Sequence, residues 1–520
     1  MFTAKLSVMI FLWVVIGYLL LLMGISVYKS FMVKNQEDFM VAGRSVSTAR
    51  LVGTLLCTWM GSGSLLAGAG LAANVGFSEL WMAAGAWVGI IIVFFLAARV
   101  RRIAEYTVPD ILELRYNKWA RILGTIVIVI AYTTIVGYQF RAGGFVLDLV
   151  AGIPEWQGVL LTAAFIITFT AFAGMMSIVS VDIINGAVIT VAMLIAAPLV
   201  FINIGGAEHL TATLDPSHFK VFGDKNFFWA MGIFLPTFFL LLGESNMYQK
   251  FFSAKNEKSA KKAVLFWVSG TIVVETALAS LAIFAFSHFN VMEKLSSSDL
   301  YLAVENAERI ILHTARYSTE VGLPVWGGLL LLAASVAIIT STGNSFLLTP
   351  STNLTRDVYQ RFINKSADPK MIVVFQRIMV VLLGLLAYLI LTQFETILAM
   401  ALTAYTMVGA GLTPALLAAF LWKRVTVAGG VASIATGMGV TLLITIANSI
   451  LSNFYGTQLL NEQYIILPAA SASILTLIVV SLATQRDPES KWGRFYTKDA
   501  SLAQAMEEVK KDAITEEPED

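Results

Sequence analysis

The protein has 520 residues, of which 57% are hydrophobic and only 13% are charged, and its mean hydropathy is +0.77. A soluble protein carries about 25% charged residues, so this composition excludes a water-soluble globule and predicts an all-α, polytopic membrane protein. The net charge of +1 gives no reason to expect nucleic acid as a partner, and the single cysteine, Cys57, excludes an internal disulfide and a thiolate metal cluster.

Apolar runs of about 20 residues, the length that a spanning helix needs, recur along the whole chain. The first run is preceded only by Lys5 and is too long for the apolar core of a signal peptide, so we interpret it as a retained helix. Thirteen spans are predicted in this way, near 8–28, 49–74, 78–100, 122–149, 157–174, 182–204, 227–246, 263–287, 325–348, 371–392, 395–421, 428–449 and 463–483.

The basic residues indicate the orientation of these spans. If the N-terminus lies outside, most of the 35 lysines and arginines fall in inner loops and in the C-terminal tail. They include the clusters at 99–102 and 255–262, and the second belongs to a basic stretch, 250–262, that is most simply an inner half-helix and loop. Cytoplasmic loops of membrane proteins carry such an excess of Lys and Arg. We therefore predict a multi-pass protein of the cell membrane, with its N-terminus outside and its C-terminus in the cytoplasm.

Two of the predicted spans are interrupted by glycine and polar residues. The second contains Gly61-Ser62-Gly63-Ser64, and the seventh contains Pro236 followed by Gly243-Glu244-Ser245-Asn246. Such backbone is tolerated at membrane depth only where it faces protein or a water-filled cavity. Paired broken helices point to a transporter's midplane site between two inverted repeats, although small residues also permit plain close packing of helices.

The two interrupted spans each stand first in a group of five, which predicts the division of the chain. The predicted segments are a leading helix and inner loop (1–48), a first five-helix repeat (49–204), an outer loop (205–226), a second five-helix repeat (227–424), two trailing helices (425–484) and a cytoplasmic tail (485–520).

At several spaced motifs the sequence resembles the sodium/solute symporter family, which includes sodium-coupled sugar, proline, sialic acid, pantothenate and monocarboxylate carriers. The motifs are EDFMVAGRSVS (37–47), GSGSLLAGAG (61–70), YTVPDILELRYN (106–117), ESNMYQKFFSAKNEKSAKKA (244–263), NLTRDVYQRF (353–362) and GAGLTPALLAAFLWKRVT (409–426). The resemblance implies a LeuT-like core of five plus five helices, with one leading and two trailing helices.

The ninth span carries a dense polar patch that predicts a sodium site. Sodium prefers hard oxygen ligands, and this patch offers Thr340, Ser341, Thr342, Asn344 and Ser345. The resemblance implies that the hydroxyls of Ser341 and Thr342 bind the ion. It further implies that backbone carbonyls complete the site, from Cys57 and Met60 in the first broken span and from Ile338. The alternative is that these hydroxyls bond carbonyls of their own helix.

Asp182 is the only acidic residue in the sixth span, and intramembrane carboxylates are costly and usually functional. Some members of the family use an Asp here for a second sodium, with ligands that match Ser341, Asn344 and Ser345. Those members have a serine where this chain has Asn344. The alternative is that Ser180 caps the sixth helix and Asp182 lies in its first turn, favoured by the helix dipole.

Candidate substrate residues are also implied by the resemblance, at Trp59 and Ser64 in the first broken span and at Glu244 in the second. Gln139 and Arg141 in the fourth span are further substrate candidates. Arg141 could bind a substrate carboxylate, but it could equally pair with an outer acid or extend to the membrane interface. Trp59 could equally be plain packing, and Glu244 could cap the half-helix that follows it.

These features predict a secondary active transporter that imports a small polar solute (a sugar, an amino acid or a carboxylate) together with sodium. The sequence has no HExxH or GxSxG motif, and no histidine falls within a span, so we expect no enzyme and no cofactor apart from sodium as the coupling ion. The alternatives are proton coupling through Asp182 and Glu244, or a transporter-like membrane sensor. We expect a monomer in the lipid bilayer.

Overall fold

The computed structural model describes residues 2–32, 36–103, 105–295 and 307–496, so most of the predicted tail lies outside the described residues. Its regular elements are helices, as expected where lipid cannot hydrate an open backbone. The α-helices are α1 (Phe2–Ser30), α2 (Gln36–Val41), α3 (Thr48–Trp59), α4 (Ala69–Val75), α5 (Leu80–Ile103), α6 (Val108–Arg115), α7 (Lys118–Ala151), α8 (Glu155–Asn203), α9 (Gly206–Thr213), α10 (Phe227–Gly243), α11 (Ser245–Ser253), α12 (Glu257–Leu295), α13 (Ile310–Arg316), α14 (Val325–Asn353), α15 (Pro369–Leu391), α16 (Ile397–Gly411), α17 (Thr413–Leu421), α18 (Val427–Tyr455), α19 (Ile466–Ala483) and α20 (Glu489–Tyr496).

Within the described residues, twelve helical stretches are long and apolar enough to cross a membrane, whereas the sequence predicts thirteen spans. The difference arises at the second and third predicted spans. The first half of the second predicted span is α3, which has only 12 residues and is too short to cross the membrane alone. The second half of that span joins α5 in the stretch Gly63–Ile103, which bends at Gly76, where φ is +68°.

Both predicted interruptions are present. After α3 the chain leaves the helical conformation at Met60 and continues as a π-helical segment, Gly63–Gly68, that leads into α4. The second interruption is a single extended residue, Glu244, between α10 and α11, with φ −68° and ψ 102°. Each break therefore divides one membrane span into two half-helices.

The fifth and sixth predicted spans follow each other within α8, which Gly174 divides into two membrane-spanning helices, Glu155–Phe172 and Gly174–Asn203. The kink is at Gly174, whose φ of +61° lies in the region that favours glycine. The sixth span thus begins at Gly174 and not near 182. Ser180 lies inside this helix, and its hydroxyl donates to the Met176 carbonyl at 2.9 Å. Ser180 is therefore not a cap, and Asp182 lies well within the helix, contrary to the first-turn alternative.

The centre of the bundle is α14, which packs against α7 and α8 and is buried from Leu331 to Asn353. The half-helices α3 and α11 also contact α14, so both chain breaks face it. Helices α18 and α19 pack mainly on each other and on α16. A continuously buried helix that carries many hydroxyls can serve as the wall of an internal polar site, because its hydroxyls need partners inside the protein.

An ion-pair network joins α6, the start of α7 and the π-helical segment Leu354–Ile363 that follows α14. Arg121 Nε lies 3.0 Å from Asp357 Oδ1, and the same guanidinium pairs with Asp110 and Glu113. Thr107 Oγ1 donates to Asp357 Oδ1 at 2.9 Å. Because Asp357 is fully buried, Arg121 neutralises a charge that water cannot reach.

We predict that Arg121→Met lowers the free energy of unfolding by about 3–5 kcal/mol, because it leaves the buried Asp357 carboxylate without its cation. Titration with a denaturing detergent, followed by tryptophan fluorescence, measures this loss. The matched control is Arg361→Met, whose side chain is 43% exposed and pairs with Glu113; its cost should stay below about 1 kcal/mol. Equal losses in the two variants would contradict the assignment.

Candidate functional site

Side chains from other helices contact the break after α3 and stabilise its backbone. Gln139 Oε1 accepts hydrogen bonds from the Ser62 amide at 3.2 Å and from Ser62 Oγ at 2.5 Å. A Cβ at Gly63 would lie 2.3 Å from Tyr405 Oη, so this position has no room for a side chain. Gln139, a predicted substrate residue, thus lies at the break in this structure and supplies a hydrogen-bond acceptor where the helix is interrupted.

The predicted first sodium ligands lie on the facing helices α3 and α14. Thr342 Oγ1 donates to the carbonyl oxygens of Met60 at 3.1 Å and Thr58 at 3.3 Å. Cys57 and Ile338 are both fully buried on the same two helices. The broken end of α3 thus directs carbonyl oxygens at the α14 hydroxyls, which is the type of oxygen cluster that a sodium ion requires.

Ser341 faces the predicted second sodium site rather than the broken end of α3. Its hydroxyl donates to Asp182 Oδ1 at 2.6 Å, and Thr54 Oγ1 donates to Asp182 Oδ2 at 2.5 Å. Asp182 is 1% exposed. Ser341, a predicted ligand of both sodium ions, is therefore bonded in this structure to the carboxylate predicted for the second ion.

The remaining predicted ligands of a second sodium are divided between two places. Ser345 Oγ lies 3.2 Å from Thr58 Oγ1, close to the broken helix. Asn344 Oδ1 accepts a hydrogen bond from Thr170 Oγ1 at 3.0 Å, on the first half of α8. The Asn344 carbonyl oxygen is thus already bonded in this structure, whereas Asp182, Ser341 and Ser345 surround one small region.

Lys250 lies in that region, although the sequence pattern assigns it to the basic stretch at 250–262. Its ammonium group donates to the Thr54 carbonyl at 3.0 Å and to Thr58 Oγ1, and it lies 3.7 Å from Asp182 Oδ2. The side chain is 1% exposed. The sequence does contain one sign that Lys250 differs from the other lysines of the stretch. Four residues without charge separate it from Lys255, namely Phe251, Phe252, Ser253 and Ala254.

Two predicted substrate residues meet at a small cavity on the other side of the break. Trp59 and Ser64 line it together with Glu79, Glu275 and Tyr405. Trp59 Nε1 donates to Glu275 Oε1 at 2.9 Å, and Ser64 Oγ lies 3.4 Å from the same oxygen. Both glutamates fall within predicted spans and the sequence analysis singled out neither, although the cost of an intramembrane carboxylate, which pointed to Asp182, applies equally to Glu275.

The other predicted substrate residues lie elsewhere. Arg141 donates to the backbone carbonyls of Leu391 at 2.9 Å, Phe394 at 2.7 Å and Glu395 at 3.0 Å, so it caps the C-terminal end of α15. Glu244 is 2% exposed at the second break, and its side chain makes no capping hydrogen bond to α11. Neither side chain lines the cavity that contains Trp59.

A known protein family and several characterised transporters are similar to this chain. The profile described as "Sodium:solute symporter family" matches residues 39–437. The high-affinity proline transporter PutP of Bacillus subtilis is 25% identical over 510 residues, which cover 93% of this chain and all of the relative. A sodium/proline symporter of Staphylococcus aureus is 25% identical over 507 residues, covering 92% of this chain and 93% of the relative.

Solved structures confirm the LeuT-like fold that the sequence predicts. A sodium-coupled sialic acid symporter, in a substrate-bound outward-open state, has a TM-score of 0.77 at 16% identity and covers 92% of this chain and 98% of its own. MhsT in complex with L-phenylalanine has a TM-score of 0.51 at 16% identity, with 84% and 99% coverage. The repeat boundaries near 49–204 and 227–424 stay predictions.

We predict strong energetic coupling between Lys250 and Asp182. In sodium-free buffer, Lys250→Met should destabilise the protein by about 3–5 kcal/mol, because it leaves the Asp182 carboxylate buried without a cation. The double variant Lys250→Met/Asp182→Asn should recover a large part of that loss. Unfolding free energies of the four proteins in the cycle measure the coupling, and strictly additive effects would show that the two groups do not interact.

Proposed function

The chain belongs to the sodium:solute symporter family, and on that basis we propose that it imports a small polar solute by sodium-coupled alternating access. The observation that supports this most directly is the approach of Thr342 Oγ1 to the carbonyls at the broken end of α3. We further propose that a sodium ion binds between the Ser341 and Thr342 hydroxyls and the carbonyls of Cys57, Met60 and Ile338.

The solute would bind on the other face of the same broken segment, beside Trp59 and Ser64. Residues 57–64 would then contact both ligands, the ion through backbone carbonyls and the solute through side chains. A ligand can shift a conformational equilibrium only through its preference for one state. Because sodium would fix the segment in one conformation, it would also prepare the solute site, and by linkage the solute would tighten sodium binding equally.

Proline is the first solute to test, because PutP of Bacillus subtilis and the symporter of Staphylococcus aureus carry proline in their names. In this proposal the N-terminus is outside, so the Arg121 network lies on the cytoplasmic side. The network would hold that side closed while the solute enters from outside. The direct experiment is uptake of radioactive sodium into proteoliposomes, driven by inward gradients of L-proline, then of other amino acids, sugars and carboxylates.

Proton coupling is a second candidate, and the buried Lys250–Asp182 pair favours it, since both groups can exchange protons. The same proteoliposomes separate the two candidates. Solute uptake that a pH gradient drives in the complete absence of sodium would overturn sodium coupling. Uptake that needs sodium and ignores the pH gradient would exclude the proton candidate.

We predict that Thr342→Val raises the half-saturating sodium concentration roughly tenfold, because it removes one oxygen ligand of the cation. Sodium-dependent thermal stabilisation measures this without knowledge of the solute. The matched control is Thr340→Val, two residues away, because Thr340 Oγ1 bonds the Val336 carbonyl of its own helix at 2.8 Å. An unchanged sodium dependence in Thr342→Val would remove the site assignment.

We also predict that one sodium ion moves per cycle, because the Lys250 ammonium already occupies the region of the second predicted site. The sodium activation curve of the wild-type protein should have a Hill coefficient of about 1. A coefficient close to 2 would contradict this role of Lys250. Measurement of the charge moved per solute provides an independent check.

A further inference from the structure

We propose that the cavity beside the first helix break binds its solute through a positively charged nitrogen, held between the carboxylates of Glu275 and Glu79. This inference rests on the proposed function, since it names the class of solute that the transporter would carry. It selects amines, amino acids and quaternary ammonium compounds over sugars and simple carboxylates.

Glu275 lies in the middle of α12 and is only 6% exposed. Three donors converge on its carboxylate: Trp59 Nε1 at 2.9 Å, Trp87 Nε1 at 2.7 Å and Ser64 Oγ at 3.4 Å. A convergence of donors is what an acceptor-only carboxylate requires. These contacts fix the position of Glu275 against the end of α3, and none of the described residues provides it with a cation.

Glu79 provides the second and independent observation. It is also 6% exposed, it lines the same cavity, and it makes no hydrogen bond or ion pair to any part of the chain that the structure describes. A Cβ at Gly68 would lie 3.1 Å from Glu79 Oε1, so the absence of a side chain at 68 leaves room for this carboxylate. An unpartnered buried acid is costly, and a positively charged ligand would remove that cost.

Among the described residues, the chain offers no cation at this place. None of the described residues that line the cavity is basic. Lys250 is bound to Thr54 and Thr58, and Arg141 is bound to backbone carbonyls at the end of α15. Two carboxylates without a basic neighbour repel an anionic solute and attract a cationic one, and the interaction is strong because the site is shielded from water.

The remaining surface of the cavity suits an ammonium group. Trp59 and Tyr405 contribute aromatic rings, which attract organic cations through their negative faces. The volume of the cavity is about 20 Å³, enough for a group the size of one water molecule or one ammonium group. The body of a larger solute therefore needs the side chains around it to move, as alternating access requires.

Ligand binding to the purified full-length protein tests the proposal, with the thermal unfolding temperature as readout and with sodium present or replaced by potassium. The probes are L-proline, pyrrolidine, putrescine and choline, which carry a positive nitrogen, and cyclopentanecarboxylate and glucose, which do not. We expect sodium-dependent stabilisation by one or more of the cationic probes and none by the other two. Stabilisation by glucose or cyclopentanecarboxylate, or by no cationic probe, would overturn the proposal.

Variants of the two glutamates locate the effect. Glu79→Gln and Glu275→Gln should each weaken binding of the cationic probe by roughly ten- to a hundredfold, with little change in the half-saturating sodium concentration. Glu79→Asp, which keeps the charge, should retain more affinity than Glu79→Gln and guards against a folding defect. The control is Glu155→Gln, a 42% exposed carboxylate that pairs with Arg309. Unchanged affinity in both Gln variants would overturn the proposal.

The experiments can refute sodium coupling and the amine site independently of each other. If cationic probes bind equally well in potassium, sodium coupling is wrong while the amine site stands. If binding requires sodium but the solute is neutral or anionic, the amine site is wrong while sodium coupling stands.

Discussion

The interruption of a helix at membrane depth is the constraint on which the rest of this structure depends. At Met60 and Gly61 the backbone leaves the helical conformation, and lipid can supply no hydrogen bonds to the groups that are freed. Partners must therefore come from other helices, and they do: Gln139 of α7 accepts from Ser62, and Thr342 of α14 donates to Met60. These contacts fix how α3, α7 and α14 pack around the break.

The same constraint explains why ion and solute sites would adjoin each other. Carbonyl oxygens at the end of a half-helix carry a partial negative charge and have no helical partner, so they suit a cation. Side chains of the same segment, Trp59 and Ser64, face the opposite side and contact Glu275. A single short segment can thus respond to both ligands, which is the physical basis that coupled transport needs.

Charge is scarce in this protein, and two groups of its buried charges among the described residues differ in how they are compensated. Arg121 with Asp357, and Lys250 with Asp182, are neutralised within the chain. Such pairs hold helices together because the loss of one partner leaves an uncompensated charge in a medium of low dielectric constant. The carboxylates of Glu79 and Glu275 form the other group, since their cavity contains no basic side chain among the described residues. A solute is the natural source of the missing cation.

The sequence alone determined the membrane class, the positions of both helix breaks and the family, because composition, apolar length and short motifs are local properties. It also predicted the polar patch at 340–345, and the structure places Thr342 against the broken helix while Ser341 bonds Asp182. The tertiary structure alone decided which charges meet. Lys250 and Asp182 are far apart in the chain, as are Trp59 and Glu275, and no local pattern encodes such contacts. Arg141 shows the same limit, because its three acceptors are backbone carbonyls that only folding brings together.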